Sequence, residues 1–266
     1  VKTNGSSTAD EQSAAEQKPR RQLCIAVIVP ALNEEEALQR TLPELGRGLQ
    51  LQDSVIVVDG GSVDRTVEVA RSCSARVVSA PRGRGRQMNE GAKAATDADA
   101  LLFLHADTLL PEEALDGVRK ALANNSVLGG CFQLRFLEQE SSLALRFWAW
   151  CTRCRLLLWP RLAFGDRAIW VRSSTFQALG GFRELPLLED VDFNVRLARF
   201  GGRRSFVFLP LEVMTSARRF METGPVRQQL LNTFLWLCWH IGIPAETLKG
   251  WYCYKIPQIL SVQKSS

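Results

Sequence analysis

The chain has 266 residues, 46% of them hydrophobic, and a net charge of +5. That length supports one substantial core, most simply a single domain with appendages. The balance is only mildly basic and no nucleic-acid-binding motif is present; the excess gathers in arginine clusters (Arg82, Arg84 and Arg86; Arg203 and Arg204; Arg218 and Arg219) whose forks suit an anionic small substrate or an anionic surface.

Residues 1–22 are polar, small and charged without apolar periodicity, which predicts a disordered leader. They contain no hydrophobic region of the kind a secretory signal needs. The chain opens on Val rather than Met, which leaves room for an upstream segment such as a targeting peptide.

From residue 23 the pattern becomes regular. LCIAVIVP, ending at Pro30, is a continuous apolar run that fits a buried parallel strand. The helical pattern ALNEEEALQRTLPEL follows, with Asn33 placed as a cap. SVIVVDGGS reads as a second buried strand closing on an acidic, glycine-rich turn, and Asp64 opens another helix. ARVVSA is a third strand, an Arg/Gly loop spans 82–86, and 87–96 is helical. ALLFLHAD is the fourth strand, and PEEALDGVRKALAN a helix with Pro111 in its first turn.

Four repeats of buried strand and helix predict a doubly wound, mostly parallel α/β sheet sandwiched by helices. Ligands of such sheets lie beyond the carboxyl ends of the strands. There the polar residues gather: Pro30, Asn33 and Glu34; Asp59, Gly60 and Ser62; the arginine loop; His105 and Asp107.

After residue 130 the chain reads as a mixed half. GGCFQLRF is a strand, ALRFWAWCTRCRLLLW an amphipathic or interfacial helix, and FGDRAIWVRSSTFQALGGF a strand, helix and glycine turn. LPLLEDVDFNVRLARFGG is a helix entered through an acidic turn, and RSFVFLPLEVMTS a strand. Seven cysteines (24, 73, 131, 151, 154, 238 and 253) form no even framework, which predicts free thiols in a reducing compartment, cytoplasmic or organelle stroma-like. Cys151-x-x-Cys154 has no second pair to complete a zinc site and reads as helical packing.

The domain is expected over 23–222 and an amphipathic helical tail over 223–266. No span in the tail reaches the ~20 uninterrupted apolar residues a bilayer crossing needs. Its Trp and Tyr residues with flanking Arg and Lys suit a peripheral membrane contact. The plain alternative is a helix packed on the domain or on a second subunit, as in a homo-oligomer.

Five segments in order, VIVPALNEE, VVDGGSVDRT, PRGRGRQMNEG, FLHADT and GGF followed by LLEDVDF, resemble family 2 glycosyltransferases of the nucleotide-diphospho-sugar-binding (GT-A) fold. The resemblance spans roughly 23–220. Within the family the chain looks most like the radical-SAM/selenodomain-associated transferase 2 group, through HAD, FGD and the late TSARR stretch.

The resemblance implies a transferase that takes a sugar from a UDP- or GDP-type donor to a hydroxyl acceptor, lipid-linked if the tail is interfacial. Asp59 would accept a hydrogen bond from the base, although Val-Asp-Gly-Gly-Ser here lacks the second acid of the family's Val-Asp-Asp-Gly-Ser; alternatively Asp59 and Ser62 merely cap the following helix. Pro30, Asn33, Glu34 and Gly60 would line the same pocket. Arg82, Arg86 and Asn89 would face the diphosphate.

The family's metal motif is Asp-x-Asp; Asp107 keeps the second position and His105 replaces the first. Alternation on an extended strand end puts both on one side. They could hold Mg2+ or Mn2+, the imidazole favouring Mn2+. His105 could equally bond ribose or phosphate, or be a core histidine. Asp190 matches the family's general base and Glu189 its neighbour, at a helix N-terminus that favours negative charge, with Asp192 a rival and simple helix capping the bland alternative. Asp166 would lie beside sugar and acceptor, and Arg218 and Arg219 would close on the diphosphate. Rival readings are a sugar nucleotidyltransferase and a non-catalytic binding or membrane-scaffold protein of the same fold.

Overall fold

A computed structural model of the chain describes residues 22–137, 167–202, 204–217 and 223–253. The expected leader up to residue 21, the predicted helix around Cys151 and Cys154, and Asp166, Arg218 and Arg219 lie outside the described residues.

The elements in chain order are β1 (Ile25–Ala31), α1 (Glu35–Arg47), β2 (Ser54–Asp59), α2 (Thr66–Ser72), β3 (Arg76–Ser79), α3 (Arg84–Ala94), β4 (Ala100–Phe103), β5 (Thr108–Leu109), α4 (Ala114–Leu122), β6 (Gly129–Phe136), β7 (Ile169–Arg172), α5 (Ser173–Ala178), α6 (Glu189–Gly201), β8 (Phe206–Thr215), α7 (Pro225–His240) and α8 (Ala245–Cys253). The strands form one sheet in the order β3-β2-β1-β4-β7-β6-β8-β5. Strands β1 to β4 are mutually parallel where they pair, and β7 then runs antiparallel to both β4 and β6. The expected doubly wound half and mixed half are both present, joined edge to edge through β4 and β7.

Strand alternation builds the layers. Ile25, Val27 and Val29 of β1 enter one core with α1 and α4, while Ala26 and Ile28 enter the opposite core with Met88 of α3, Phe176 of α5 and Phe193 of α6. A strand buried on both faces has no polar position to offer, so its chemistry can sit only at its ends. A third cluster joins Leu188 and Val191 of α6 to Leu235 and Cys238 of α7 and Leu248 of α8. The two tail helices are therefore packed on the element that carries the acidic turn.

Helix α3 starts at Arg84, three residues before the helix expected from sequence. Gly83 at φ 144° turns the chain into it, so Arg84 and Arg86 belong to its first turn and not to a loop. The same helix lies unusually close to the sheet. A Cβ at Gly91 would meet Ile28 Cγ2 at 2.4 Å and Val58 Cγ2 at 2.9 Å, both on buried strands. Gly91→Val is expected to destabilise the protein by about 1–3 kcal/mol in urea or thermal melts. Gly46→Ala, in α1 where a Cβ meets nothing within 4 Å, should instead stabilise by up to about 1 kcal/mol.

Candidate active site

The loops after β1 and β2 are tied together. Asn33 sits at φ 55°; its N–H donates to Ser62 Oγ at 2.9 Å and its Oδ1 accepts the Val63 N–H at 2.9 Å. The Glu34 N–H donates to Thr66 Oγ1 at 2.9 Å. Asp59 is buried, and its carboxylate accepts the N–H groups of Gly61 and Ser62, each at 3.1 Å. Those bonds close the loop itself and do not cap α2, which begins only at Thr66. The Gly60 N–H reaches Ala31 O at 2.9 Å, holding this loop against the end of β1.

Because α3 begins early, its residues divide between two faces. Gln87 is buried and donates through Nε2 to Ala31 O and Val58 O, both at 2.8 Å. Arg84 lies over the end of the sheet. Arg86 points outward and pairs with Glu184 at 2.8 Å, and Arg82 is exposed in the preceding loop. Asn89 has both amide atoms engaged: its Nδ2 donates to Phe182 O at 2.8 Å and its Oδ1 accepts the Phe182 N–H at 2.9 Å. Arg86 and Asn89 line a separate groove of about 680 Å3 between α3 and α5, away from the strand ends.

Pairing of β4 with β1 stops at Phe103. The Leu104 N–H still reaches Ile28 O at 2.9 Å, but then the chain turns, closed by the Thr108 N–H on His105 O at 3.1 Å. The strand-alternation argument for His105 and Asp107 therefore fails: His105 opens a turn and Asp107 lies within it, so neither sits on an extended end. Both remain half-buried beside the C-terminal end of β4. Among the described residues no group of three or more His, Cys, Asp or Glu could hold a metal ion. One imidazole and one carboxylate fit an ion that brings further oxygens on its own ligand.

Entry to α6 is strained. Leu188, buried, takes a left-handed conformation with φ 64° and ψ 24°, which costs a branched residue about 1–2 kcal/mol. That turn presents three buried acids. Asp192 accepts from Arg183 at 3.1 Å and from Arg196 at 2.7 Å, and Arg196 also donates to Leu179 O and Gly181 O at 2.8 and 2.7 Å. Two guanidinium partners thus clamp Asp192 in place. Glu189 turns towards α3, its Oε1 3.8 Å from Arg84 Nη1. Close approach here depends on Gly85, where a Cβ would come within 2.9 Å of Arg183 O. Burial, and next the charge of Asp190, push the Glu189 carboxyl up to about 7 against the opposing pull of Arg84. A helix terminus contributes up to about 2 kcal/mol, whereas a rise of that size corresponds to about 3 kcal/mol, so burial wins at Glu189. Asp190 accepts the Val191 N–H at 2.7 Å.

Pro30, Arg84, His105 and Asp190 come together around one small recess of about 10 Å3, open to solvent. Phe103 and Phe182 line its floor, members of an aromatic cluster with Phe176 and Phe193 whose ring centroids lie 4.6 to 5.6 Å apart. Four strand or helix ends, far apart in sequence, thus supply a proline ring, a guanidinium, an imidazole and a carboxylate to one concave site. Asp59 and Asp107 stand on the same edge of the sheet without lining this recess.

Residues 26–176 match the family model described as Glycosyl transferase family 2. The chain belongs to this family. It is 25% identical over 202 residues to the Bacillus subtilis protein named Probable glycosyltransferase YdaM, a match covering 66% of this chain and 47% of that protein. It is 36% identical over 92 residues to the dolichyl-phosphate hexose transferase of Haloferax volcanii, covering 34% of this chain and 40% of that protein. The chain thus spans less than half the length of these relatives. Among solved structures, the glucosyl-3-phosphoglycerate synthase of Mycobacterium tuberculosis, in complex with Mn2+, UDP and glucosyl-3-phosphoglycerate, has a TM-score of 0.60 at 22% identity, over 84% of this chain and 81% of that one. S. aureus TarS 1–349 has a TM-score of 0.57 at 17% identity, over 73% and 61%. Both share the fold.

The sequence groups Arg82, Arg84 and Arg86 as one phosphate-facing loop, with Arg82 and Arg86 named for the site, and gives no overt sign of Gln87 and Met88. The signal was the spacing 84, 87, 88, 91, one helical face, hidden because glycines at 83 and 85 looked like a loop.

The Glu189 assignment has a pH signature. Its carboxyl titrates near 7 in the folded chain and near 4.5 as a free side chain. Below 4.5 both states are protonated; between 4.5 and 7 only the unfolded chain ionises, so stability falls as pH rises. Glu189→Gln should therefore melt higher than wild type at pH 8, by the equivalent of about 3 kcal/mol at most, with the gap closing as pH falls towards 4.5.

Proposed function

We propose that the chain is an inverting glycosyltransferase. It takes a sugar from a UDP- or GDP-type donor to a hydroxyl acceptor, with Asp190 as general base. The observation that carries this reading is the placement of Asp190 and His105 on one recess at the carboxyl edge of a family 2 glycosyltransferase sheet.

Asp190 takes the proton of the acceptor hydroxyl. The acceptor oxygen bonds to the anomeric carbon, the carbon–oxygen bond to the diphosphate breaks, and its electron pair leaves with the nucleoside diphosphate. Asp192 cannot share this duty while Arg183 and Arg196 hold it. Arg84, rather than Arg82 or Arg86, offers the guanidinium nearest the leaving diphosphate. The tied loops of Asn33, Glu34, Asp59, Gly60 and Ser62 form the adjoining nucleoside wall, with Pro30 between wall and recess. Asp59 contributes by holding that loop in shape, and its remaining lone pairs face the base.

His105 and Asp107 would hold a divalent cation, Mg2+ or Mn2+, which when bound neutralises charge on the diphosphate. The Mycobacterium tuberculosis synthase, which shares the fold, binds Mn2+ with UDP and supports this assignment. A lipid-linked acceptor is the class we favour, in line with the dolichyl-phosphate hexose transferase among the relatives. Asp166, Arg218 and Arg219 keep their proposed places beside sugar and diphosphate from the family resemblance. Cys24, Cys73, Cys131 and Cys238 are free thiols, which supports a reducing compartment, cytoplasmic or stroma-like.

Nucleoside diphosphate release from a panel of UDP- and GDP-sugars, with and without Mn2+, tests the proposal. Asp190→Asn should lower kcat by about 10²–10⁴-fold with little change in donor affinity. His105→Ala and Asp107→Ala should each raise the Mn2+ concentration needed for half-maximal rate. Undiminished turnover in Asp190→Asn, or no release from any donor, would count against the reading.

A further inference from the structure

Helix α7 is apolar on two faces. One face, through Leu231, Leu235 and Cys238, packs against α6 and α8. On the other, Val226, Leu230, Phe234, Leu237 and Ile241 recur at spacings of 4, 4, 3 and 4, a single helical stripe, and each is between 47% and 78% exposed. Trp251 of α8 stacks on Phe234 with ring centroids 5.9 Å apart and widens the stripe. The expected amphipathic tail therefore differs from an ordinary surface helix: where a polar face should meet water, it presents a continuous apolar band. Bands of this kind on a soluble surface mark a binding face.

Charge indicates what covers it. From residue 223 onward the chain carries four basic side chains (Arg227, Lys249, Lys255 and Lys264) and one acidic (Glu246). On the helices themselves Arg227 and Lys249 are exposed, and Glu246 is the one acidic residue between 223 and 253. A self-complementary dimer face needs no such excess of one sign, whereas an anionic bilayer does. At 16 residues α7 is about 24 Å long, and no helix among the described residues is long and apolar enough to cross a membrane. The band suits a helix lying in the interface plane.

We propose that the outer face of α7, extended by Trp251, docks on an anionic lipid bilayer. The opposite face of α7 packs on Leu188 and Val191, which flank Asp190. Docking therefore places the acidic turn roughly one helix diameter, ~10 Å, from the lipid surface. That position brings the recess within reach of an acceptor whose hydroxyl emerges from the bilayer. The contact is independent of the transferase chemistry and is read without any donor.

The test is flotation of the full chain with phosphatidylcholine vesicles containing 30% phosphatidylglycerol, about one anionic lipid in three, against vesicles of phosphatidylcholine alone. Binding is expected to the first, to weaken as salt rises, and to fall by about tenfold or more in Leu230→Glu and in Phe234→Glu. Arg227→Glu with Lys249→Glu should weaken binding to the anionic vesicles only. Melting curves of each variant, superimposing on wild type, show that the fold is intact. No binding to anionic vesicles, or binding unchanged in the Glu variants, overturns the proposal. So does a dimer in sedimentation velocity that Leu230→Glu dissociates, which would assign the band to a second copy. A lowered melting temperature in Leu230→Glu without vesicle binding would assign it to another segment of the same chain, and equally overturn it.

Discussion

The approach of α3 to its surroundings is the constraint on which the site depends. Gly91 lets the helix rest on Ile28 and Val58, and Gly85 lets it meet the backbone of Arg183. Gln87 then fastens it to the ends of β1 and β2, and Asn89 fastens it to Phe182. These four contacts, spread over about two helical turns, fix the start of the helix and so hold Arg84 beside the strand ends. A helix displaced outward by one side chain would carry Arg84 off the recess and open the aromatic floor to water.

On the other side of the recess the chain accepts two local penalties in order to present Asp190. Leu188 adopts a backbone conformation that L residues avoid, and Glu189 is buried where its charge is disfavoured. Both are held by stronger neighbours. Arg196 binds Asp192 and two loop carbonyls at once, a geometry for which a guanidinium fork is suited and an ammonium is not. The third core cluster presses the same turn from outside through α7 and α8. Strain at an active-site turn persists when its surroundings over-determine it, and here arginine bonds and apolar packing do so from opposite sides.

Much of this was legible in the sequence, for a physical reason. A strand buried on both faces must be apolar throughout, so LCIAVIVP and ALLFLHAD announced both their burial and the edge where polar chemistry begins. Pro30, His105 and Asp190, read from those edges and from the acidic helix start, do meet at one recess. Local geometry was less legible. Period-two alternation carries on in the sequence past Phe103, where pairing ends, and the glycines that serve close packing in α3 look the same in sequence as loop glycines. Polar groups that a sequence offers to a ligand can also be claimed by the fold: Asn89 by Phe182, Arg86 by Glu184, much of Asp59 by its own turn. Only coordinates show which use prevails. The exposed stripe on α7 lay in plain sight as LLNTFLWLCWHI, but a run apolar all round does not reveal which of its faces is covered.

The central claim is that Pro30, Arg84, His105 and Asp190, around their small recess, border the place where the donor's diphosphate and sugar bind. A crystal structure of the chain grown with UDP and Mn2+ tests it most directly. The account predicts nucleotide density along the loops of Asn33 and Asp59, with phosphate oxygens within reach of Arg84, His105 and Asp107, and Asp190 facing the position of the transferred sugar. Nucleotide bound in the outer groove between α3 and α5, or phosphates turned away from Arg84 and His105, would contradict it.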